Sequence, residues 1–387
     1  MKKLNLIIHH HALVYGDYQG FWFPSFIGSW VNEITKHFEK VAFIAEMSKT
    51  KIENQDFLVF APNLEIIPIG TRGQNTSKEK NKKIFEIAEK YSNEYDQLLI
   101  RGITPRQYQV YKAFNKLPCS FLMVGSIIDS KPKLKPDFKS ILLWVIYFLR
   151  RTQLKLIGKN SLVLANSPQI VKEFKIQFRI EAQFVPTNTL QNSDFDNFCF
   201  RGFKQEPVLL FCGRVVKEKG IEEVILAIAQ LKNAGKVFKL KIVGSITDSY
   251  REYLNNLIIK EGIHEKVSFE GFKKFGPELF SYYLSSDFFV LPSYHEGFPH
   301  SIWEASAKCI PILTTCVGGI PGLVSNEEVC FIETRSAESI VQSIEFLLEN
   351  PDIAEKMVKS AFEKGKQFSI QNCVIILKKK LEEKAYS

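Results

Sequence analysis

The sequence predicts an α/β protein made of two doubly wound parallel-sheet domains. Three observations carry that expectation. The 387 residues exceed what one ordinary core organises and suit two domains of roughly 150–200 residues. Short β-branched or aromatic runs alternate with longer amphipathic stretches along the whole chain. A polar stretch without a strong period, Thr187–Glu206, interrupts that rhythm near the middle. The expected boundaries are therefore 1–195 and 196–366, with a terminal helix over 367–387.

Taken in order, strands of the first half are expected near Leu4–His9, Val41–Glu46, Leu64–Ile69, Gln97–Arg101, Cys119–Val124, Leu162–Ala165 and Gln183–Val185. Helices fall between them at Ser25–Phe38, Lys78–Tyr95, Pro105–Asn115, Lys139–Ile157 and Pro168–Phe174. Pro105 and Pro168 sit where a first helical turn tolerates proline. In the second half, strands are expected near Val208–Cys212, Leu240–Val243, Val267–Glu270, Phe288–Leu291, Ile310–Leu313 and Val329–Ile332. Helices are expected at Gly220–Asn233, Ser249–Glu261, Pro277–Ser285, Pro299–Ala307, Ala337–Glu349 and Phe368–Glu382. No repeat of 20–50 residues is present.

Composition excludes several classes. An apolar content of 45% rules out wholesale disorder. The seven cysteines are scattered, never spaced C-x-x-C, and several lie inside apolar runs, which predicts a reduced chain without structural zinc. The start carries no secretory signal, and the longest apolar stretch, Ile141–Leu149, is about half of what a spanning helix needs. A cytoplasmic protein is expected, peripheral on the inner face of the cell membrane. Charge points to that surface: residues 1–195 carry 27 Lys/Arg against 17 Asp/Glu, and the remainder 24 against 25. The whole basic excess sits in the first half, which should meet something acidic or an anionic membrane.

In open parallel sheets ligands bind beyond the carboxyl ends of strands, so chemistry is expected just after strands, in the cleft between two such domains. Three loops of the second half fit. In Phe211–Gly220, Gly213 allows close backbone approach, Arg214 can fork onto two phosphate oxygens, and Lys219 adds a point charge near a helix start. In Pro292–Ala305, Glu296 lies on the loop and Glu304 on the following helix, where two carboxylates can grip vicinal hydroxyls of a sugar or ribose. In Thr314–Gly322, the pair Gly318–Gly319 exposes backbone N–H groups suited to an anion or a sugar edge, or forms a plain tight turn.

In order and spacing, residues 208–325 resemble the donor domain of glycosyltransferase family four, the group 1 glycosyltransferases. The matching pieces are Gly213–Gly220, Ile242–Gly244, Val267–Gly271, the Glu-x7-Glu pair Glu296 and Glu304, and Val317–Pro321. The first half matches only at Leu164–Pro168. The resemblance implies the GT-B fold, with a terminal helix crossing back onto the first domain, and a retaining transferase that uses a nucleotide diphosphate sugar without a metal or other cofactor. It implies that Arg214 and Lys219 hold the donor diphosphate, Glu296 the transferred sugar, and Glu304 the ribose. Backbone at Gly297, Phe298 and Pro299 would lie against sugar and phosphate, and Gly244 with Phe272 and Lys273 near the base. The catalytic set is then Glu296, Arg214 and Lys219.

Two positions depart from the family. Gly322 stands where an acidic residue is common. The stretch Leu99–Arg106 holds Arg101, and no histidine, where the family places a histidine near the donor sugar.

The first half offers three further features. His9, His10 and His11 follow the first strand; adjacent side chains on an extended chain diverge, which disfavours a shared metal and leaves an acceptor role or ordinary packing. The stretch Tyr15–Phe26, rich in glycine and aromatics, reads as a mobile acceptor loop or as packing onto the next helix. In 131–159, Lys131, Lys133, Lys135 and Lys139 precede an apolar aromatic run and Arg150, Arg151, Lys155 and Lys159 follow it. Such a segment suits a helix lying on an anionic bilayer, or a helix with an ordinary buried face.

The expected activity is transfer of a sugar from a nucleotide diphosphate sugar to a lipid-linked or polysaccharide acceptor at the cytoplasmic membrane face. The alternatives are a sugar-nucleotide epimerase or phosphorylase of the same fold, and a non-catalytic sugar-nucleotide-binding subunit. No nucleic acid partner is expected, because the basic residues flank one apolar run and do not spread over a sheet face.

Overall fold

A computed structural model of the chain describes residues 3–125 and 138–385. Lys131, Lys133 and Lys135 lie outside the described residues, as does the side chain of Lys139. The chain divides into two compact units, Met1–Thr189 with Ile370–Ser387, and Leu190–Ser369.

The first unit runs β1 (Asn5–Asp17), β2 (Gly20–Phe23), α1 (Ser25–Thr35), β3 (Lys40–Met47), β4 (Phe57–Val59), β5 (Leu64–Thr71), α2 (Ser77–Tyr91), β6 (Gln97–Arg101), α3 (Gln107–Ala113), β7 (Cys119–Met123), α4 (Phe138–Lys159), β8 (Leu162–Ala165), α5 (Pro168–Phe178) and β9 (Ala182–Phe184). Its parallel strands lie in the order β5-β3-β1-β6-β7-β8-β9. The chain therefore winds one way from β1 through β5 and the other way from β6 onward. The reversal falls between β1 and β6, where His9 pairs with Ile100.

The second unit runs β10 (Val208–Cys212), α6 (Ile221–Asn233), β11 (Lys239–Val243), α7 (Asp248–Lys260), β12 (Val267–Gly271), α8 (Pro277–Leu284), β13 (Phe288–Leu291), α9 (His300–Ala307), β14 (Ile312–Thr315), β15 (Cys330–Ile332), α10 (Ala337–Glu349) and α11 (Pro351–Gln367). Its all-parallel sheet has the order β12-β11-β10-β13-β14-β15, with the reversal between β10 and β13. The strands read as continuous apolar runs because helices cover both faces. Phe211, Phe288 and Val290 are fully buried. The last helix, α12 (Ile370–Ala385), belongs to the first unit. Ile370, Val374, Leu377 and Leu381 recur at helical spacing and enter one core cluster with Ile27, Trp30 and Ile34 of α1.

Three differences from the sequence expectations have local causes. The boundary falls at Leu190 and not after residue 195, because Phe195 packs against Phe362 of α11 inside the second unit. The second unit likewise continues to Ser369, so the terminal helix begins at Ile370. Tyr15–Phe26 is not a mobile loop. β1 continues to Asp17 and turns at Tyr18–Gln19 into antiparallel β2, which pairs in turn with β4. Phe21, Trp22 and Phe23 are the aromatic residues of that added strand, and Trp22 Nε1 donates to Asp17 Oδ2 at 2.8 Å. Helix α11 was absent from the expected elements. Pro351 at its first turn starts a fresh helix, and Ala354, Val358, Ala361, Phe362 and Gly365 form its buried stripe.

The division into units sharpens the charge asymmetry. The first unit holds 31 Lys/Arg against 18 Asp/Glu, and the second 20 against 24. The terminal helix thus adds to the basic side, giving +13 against −4.

Candidate active site

The second unit has a cavity of about 380 Å³ at the reversal point of its sheet. It gathers Gly213, Arg214, Lys219, Gly244, Lys273, Glu296, Phe298, Pro299 and Glu304, all of them positions singled out from the sequence. Gly297 does not line it. Phe272 does, 73% exposed at its edge, together with Ser245, Leu279, His300 and Ser301.

Three loops form the wall, and backbone hydrogen bonds fasten each to the next. After β11, Gly244 packs so closely against β10 that a Cβ there would overlap the Gly213 carbonyl oxygen, and its φ of +145° favours glycine in any case. Val215 N–H donates to the Ser245 carbonyl at 2.9 Å and continues that contact. In the β10–α6 loop, Gly220 has φ +69° and faces the Pro292 carbonyl with no room for a side chain. Tyr294 N–H reaches the Glu218 carbonyl at 2.8 Å, so the first loop is clasped to the one after β13. The third loop supports the second: Gly319 N–H donates to the Glu296 carbonyl at 2.9 Å, and Thr315 Oγ1 to the Ser293 carbonyl at 2.6 Å. Gly319 therefore spends its N–H on the loop that carries Glu296, and the pair Gly318–Gly319 does not line the cavity.

Lys219 and Glu296 form an ion pair, and Ser293 Oγ donates to Glu296 Oε1 at 2.7 Å. Their side chains are 19% and 9% exposed, so each is held in one geometry at the cavity wall. Arg214 is exposed and makes no ion pair among the described residues. A guanidinium and an ammonium beside the first turn of a helix form an anion site, with Arg supplying the fork and Lys the point charge.

Glu304 sits deeper. It is buried, accepts the Tyr283 hydroxyl on Oε2 at 2.6 Å, and lies beside Cys212. Burial pushes the Glu304 carboxyl up from its ordinary value, against the opposing pull of the Tyr283 hydroxyl and Lys308. The same burial raises the Tyr283 phenol well above its usual range and moves the Cys212 thiol to about 12, so neither ionises near neutral pH. Tyr283 and Ser293 were not singled out from the sequence. Each lies in an apolar or generic stretch, and only the fold brings its hydroxyl to a carboxylate.

The raised Glu304 carboxyl has a measurable consequence. A group whose folded value exceeds its unfolded one favours the fold below the unfolded value and loses that contribution as pH rises through the folded one. Relative to the wild type, Glu304→Gln should therefore be least stable at acid pH and gain as pH rises above about 4.5, the ordinary glutamate value. Urea midpoints taken between pH 4 and pH 8 test this. A difference that stays flat across the series contradicts the burial argument.

In the first unit, His9 and His10 are buried within β1, not in a loop after it. His9 Nε2 lies 3.0 Å from Thr104 Oγ1, and burial lowers its imidazole to about 4. Burial also lowers His10 and His11, with Arg101 adding to the effect. Among the described residues no group of three His, Cys, Asp or Glu side chains is placed to hold a metal ion.

The family described as glycosyl transferases group 1 matches residues 195–364, which is nearly the whole second unit. An uncharacterized glycosyltransferase of Methanocaldococcus jannaschii is 32% identical over 157 residues, covering 40% of this chain and 39% of its own. The capsular polysaccharide biosynthesis glycosyltransferase CapM of Staphylococcus aureus is 30% identical over 150 residues, covering 38% of each. The chain thus spans about two fifths of the length of these curated relatives. Among solved structures, a glycosyltransferase from Rickettsia africae superposes with a TM-score of 0.71 at 18% identity over 98% of both chains. HepE of Anabaena, solved in complex with UDP, superposes with a TM-score of 0.67 at 15% identity over 99% and 100%. These likenesses extend over both units and establish the GT-B fold. Over residues 195–364, whose motif loops gather on one cavity, the chain matches the group 1 glycosyl transferases.

Proposed function

We propose that the chain transfers a sugar from a nucleoside diphosphate sugar to an acceptor, with retention of anomeric configuration. The observation that carries this reading is the cavity of the second unit. It joins an anion site (Arg214, Lys219), a buried carboxylate suited to a ribose diol (Glu304), an exposed aromatic edge (Phe272) and a carboxylate beside the cations (Glu296). In this reading the base lies against Phe272 and Gly244, and Lys273 stands at the same edge. Arg214 and Lys219 meet the charge that develops on the departing diphosphate, without a metal in the step. The neighbour HepE binds UDP, which supports a nucleotide in the corresponding cavity.

Incubation with activated sugars tests the reaction type. Release of the nucleoside diphosphate should depend on an added acceptor, and the product's anomeric proton coupling should match the donor's. Release or rearrangement of the donor without an acceptor would favour the epimerase or phosphorylase reading.

The acceptor we propose is lipid-linked or a growing polysaccharide, met at a membrane surface; CapM's role in capsular polysaccharide biosynthesis is in keeping with this. No helix among the described residues is long and apolar enough to cross a membrane. Helix α4 instead buries Tyr147, Leu154 and Ile157 and leaves a second apolar stripe outside. Ile141, Val145, Phe148 and Leu149 are each about half exposed, and with Trp144 they line a shallow apolar hollow. Arg150, Lys155 and Lys159 flank it. An apolar stripe with basic neighbours, on the unit that carries the whole charge excess, suits an anionic bilayer. Replacing Lys133, Lys135, Arg150 and Arg151 with Gln should weaken partitioning onto anionic liposomes by up to about 10³-fold, at about 1 kcal/mol for each of the four charges near the surface. Unchanged sedimentation would remove membrane contact from the account.

A further inference from the structure

The reversal point of the first unit's sheet holds a cation that the protein itself leaves without a counter-ion. Arg101 ends β6, next to the carboxyl-end half of β1, and is only 6% exposed. Its guanidinium stacks on the Trp30 ring at 4.8 Å, and its Nε has no hydrogen-bond partner. No carboxylate among the described residues lies within ion-pair distance of it. A buried cation without a carboxylate is costly to keep, which makes Arg101 a group waiting for an anion.

Its surroundings add donors and further positive charge. By strand alternation, His10 falls on the same sheet face as Arg101, as do Ile8 and Leu99 before them. His10 Nδ1 accepts the Ala12 N–H at 3.0 Å, which leaves its proton on Nε2 as a donor. Arg72 lies beside His11, and Arg106 beside His9. The carboxylate beside Arg106 is that of Glu46. It is ion-paired to Lys80 and stands 4.0 Å from Arg106, so it offers Arg101 nothing. Gly102, immediately after Arg101, is buried and has φ +76°, and among the described residues nothing stands within 4 Å of where its Cβ would be, which leaves room beside the end of β6.

We propose that the ends of β1 and β6 form a phosphate site anchored by Arg101, and that it takes the phosphate or diphosphate group of the acceptor. The assignment to the acceptor rests on the transferase reading; the phosphate site itself does not. A planar, permanently charged fork with a neighbouring imidazole donor suits a tetrahedral oxyanion better than a neutral sugar. Its position follows the rule that open parallel sheets bind ligands beyond the strand ends where winding reverses, as the second unit also shows.

Inorganic pyrophosphate is the probe, titrated calorimetrically into the full chain at fixed ionic strength. The donor-side cations are first removed by Arg214→Ala with Lys219→Ala. That double variant should still bind pyrophosphate, and adding Arg101→Met should weaken binding by about 30-fold or more, the cost of removing one member of a buried charge contact. UDP binding by the single variant Arg101→Met, with the donor loop intact, reports that it is folded. Arg101→Lys, which keeps the charge and loses the fork, should fall between. Pyrophosphate binding that vanishes in the double variant, or that survives Arg101→Met undiminished, overturns the proposal. Loss of UDP binding by the wild type would instead refute the donor reading and leave this site standing. Two arms identify the source of the phosphate. Displacement of pyrophosphate by glycerol 3-phosphate points to a soluble ester. Arg101-dependent sedimentation with vesicles of phosphatidylcholine and phosphatidic acid, without such displacement, points to a lipid headgroup.

Discussion

Replacing Glu296 with Ala is expected to lower kcat by about 10²–10³ while leaving nucleotide binding within a few-fold of the wild type. The carboxylate is fixed from two sides, by the Lys219 ammonium and by the Ser293 hydroxyl. Its backbone carbonyl is held as well, by Gly319 N–H. So constrained a group can be aimed at a sugar hydroxyl without losing side-chain freedom at the moment of reaction. The cavity's nucleotide contacts, by contrast, fall to Arg214, Glu304 and the Gly244 edge in the proposed reading, and these survive the substitution. The variant also frees Lys219 from its counter-charge, which should tighten diphosphate binding slightly and not weaken it. Steady-state rates with the donor, set beside calorimetric titration of the nucleoside diphosphate, separate the two effects. Full activity would remove Glu296 from the site. Equal losses in binding and rate would assign it to the nucleotide and not to the sugar.

Gly244→Ala is expected to destabilise the second unit by about 3 kcal/mol and to cripple the cavity at the same time. The added methyl would overlap the Gly213 carbonyl oxygen, a backbone atom that cannot rotate away, and φ +145° strains any L side chain. Relief requires the ends of β10 and β11 to separate. That would stretch the hydrogen bond from Gly213 N–H to the Val243 carbonyl and the one from Val215 N–H to Ser245. Both loops carry lining residues, so nucleotide affinity should fall together with the denaturation midpoint. Gly213→Ala is a useful contrast: a Cβ there meets nothing within 4 Å, so only the φ penalty remains. If Gly244→Ala is no worse than Gly213→Ala, the close approach of the two strand ends does not limit the site.

Much of the second unit was legible in the sequence because its strands are buried on both faces and read as short unbroken apolar runs. Val208–Cys212 and Phe288–Leu291 were placed to the residue. The site followed, since glycines and charges cluster directly after those runs. Less legible were residues whose role is relational. Tyr283 occupies an ordinary helical position, and its value lies in a hydrogen bond to Glu304 that only the packing of α8 against α9 creates. The pair Gly318–Gly319 suits either a ligand-facing set of N–H groups or a plain tight turn, and Gly319 spends its N–H inside the protein.

The first unit was harder for a different reason. β1 runs through three histidines and a glycine to Asp17, and polar residues within an extended run look like its end. Strand β2 is four residues of glycine and aromatics, a composition shared by loops. Arg101 appeared as a departure from an expected histidine. Nothing in the linear pattern says that it is buried without a counter-ion, because that depends on α1 bringing Trp30 across it.

The central claim is that the second unit binds a nucleoside diphosphate sugar through Arg214, Lys219, Glu296 and Glu304. The most direct test is a thermal-shift screen of the full chain against UDP, GDP and a panel of UDP-, GDP- and other activated sugars, followed by calorimetric titration of the best ligand. The account predicts saturable binding of at least one nucleotide, weakened at least tenfold by Arg214→Ala combined with Lys219→Ala, an effect of about 1.4 kcal/mol or more. No stabilisation by any member of the panel, or binding indifferent to both substitutions, would contradict it.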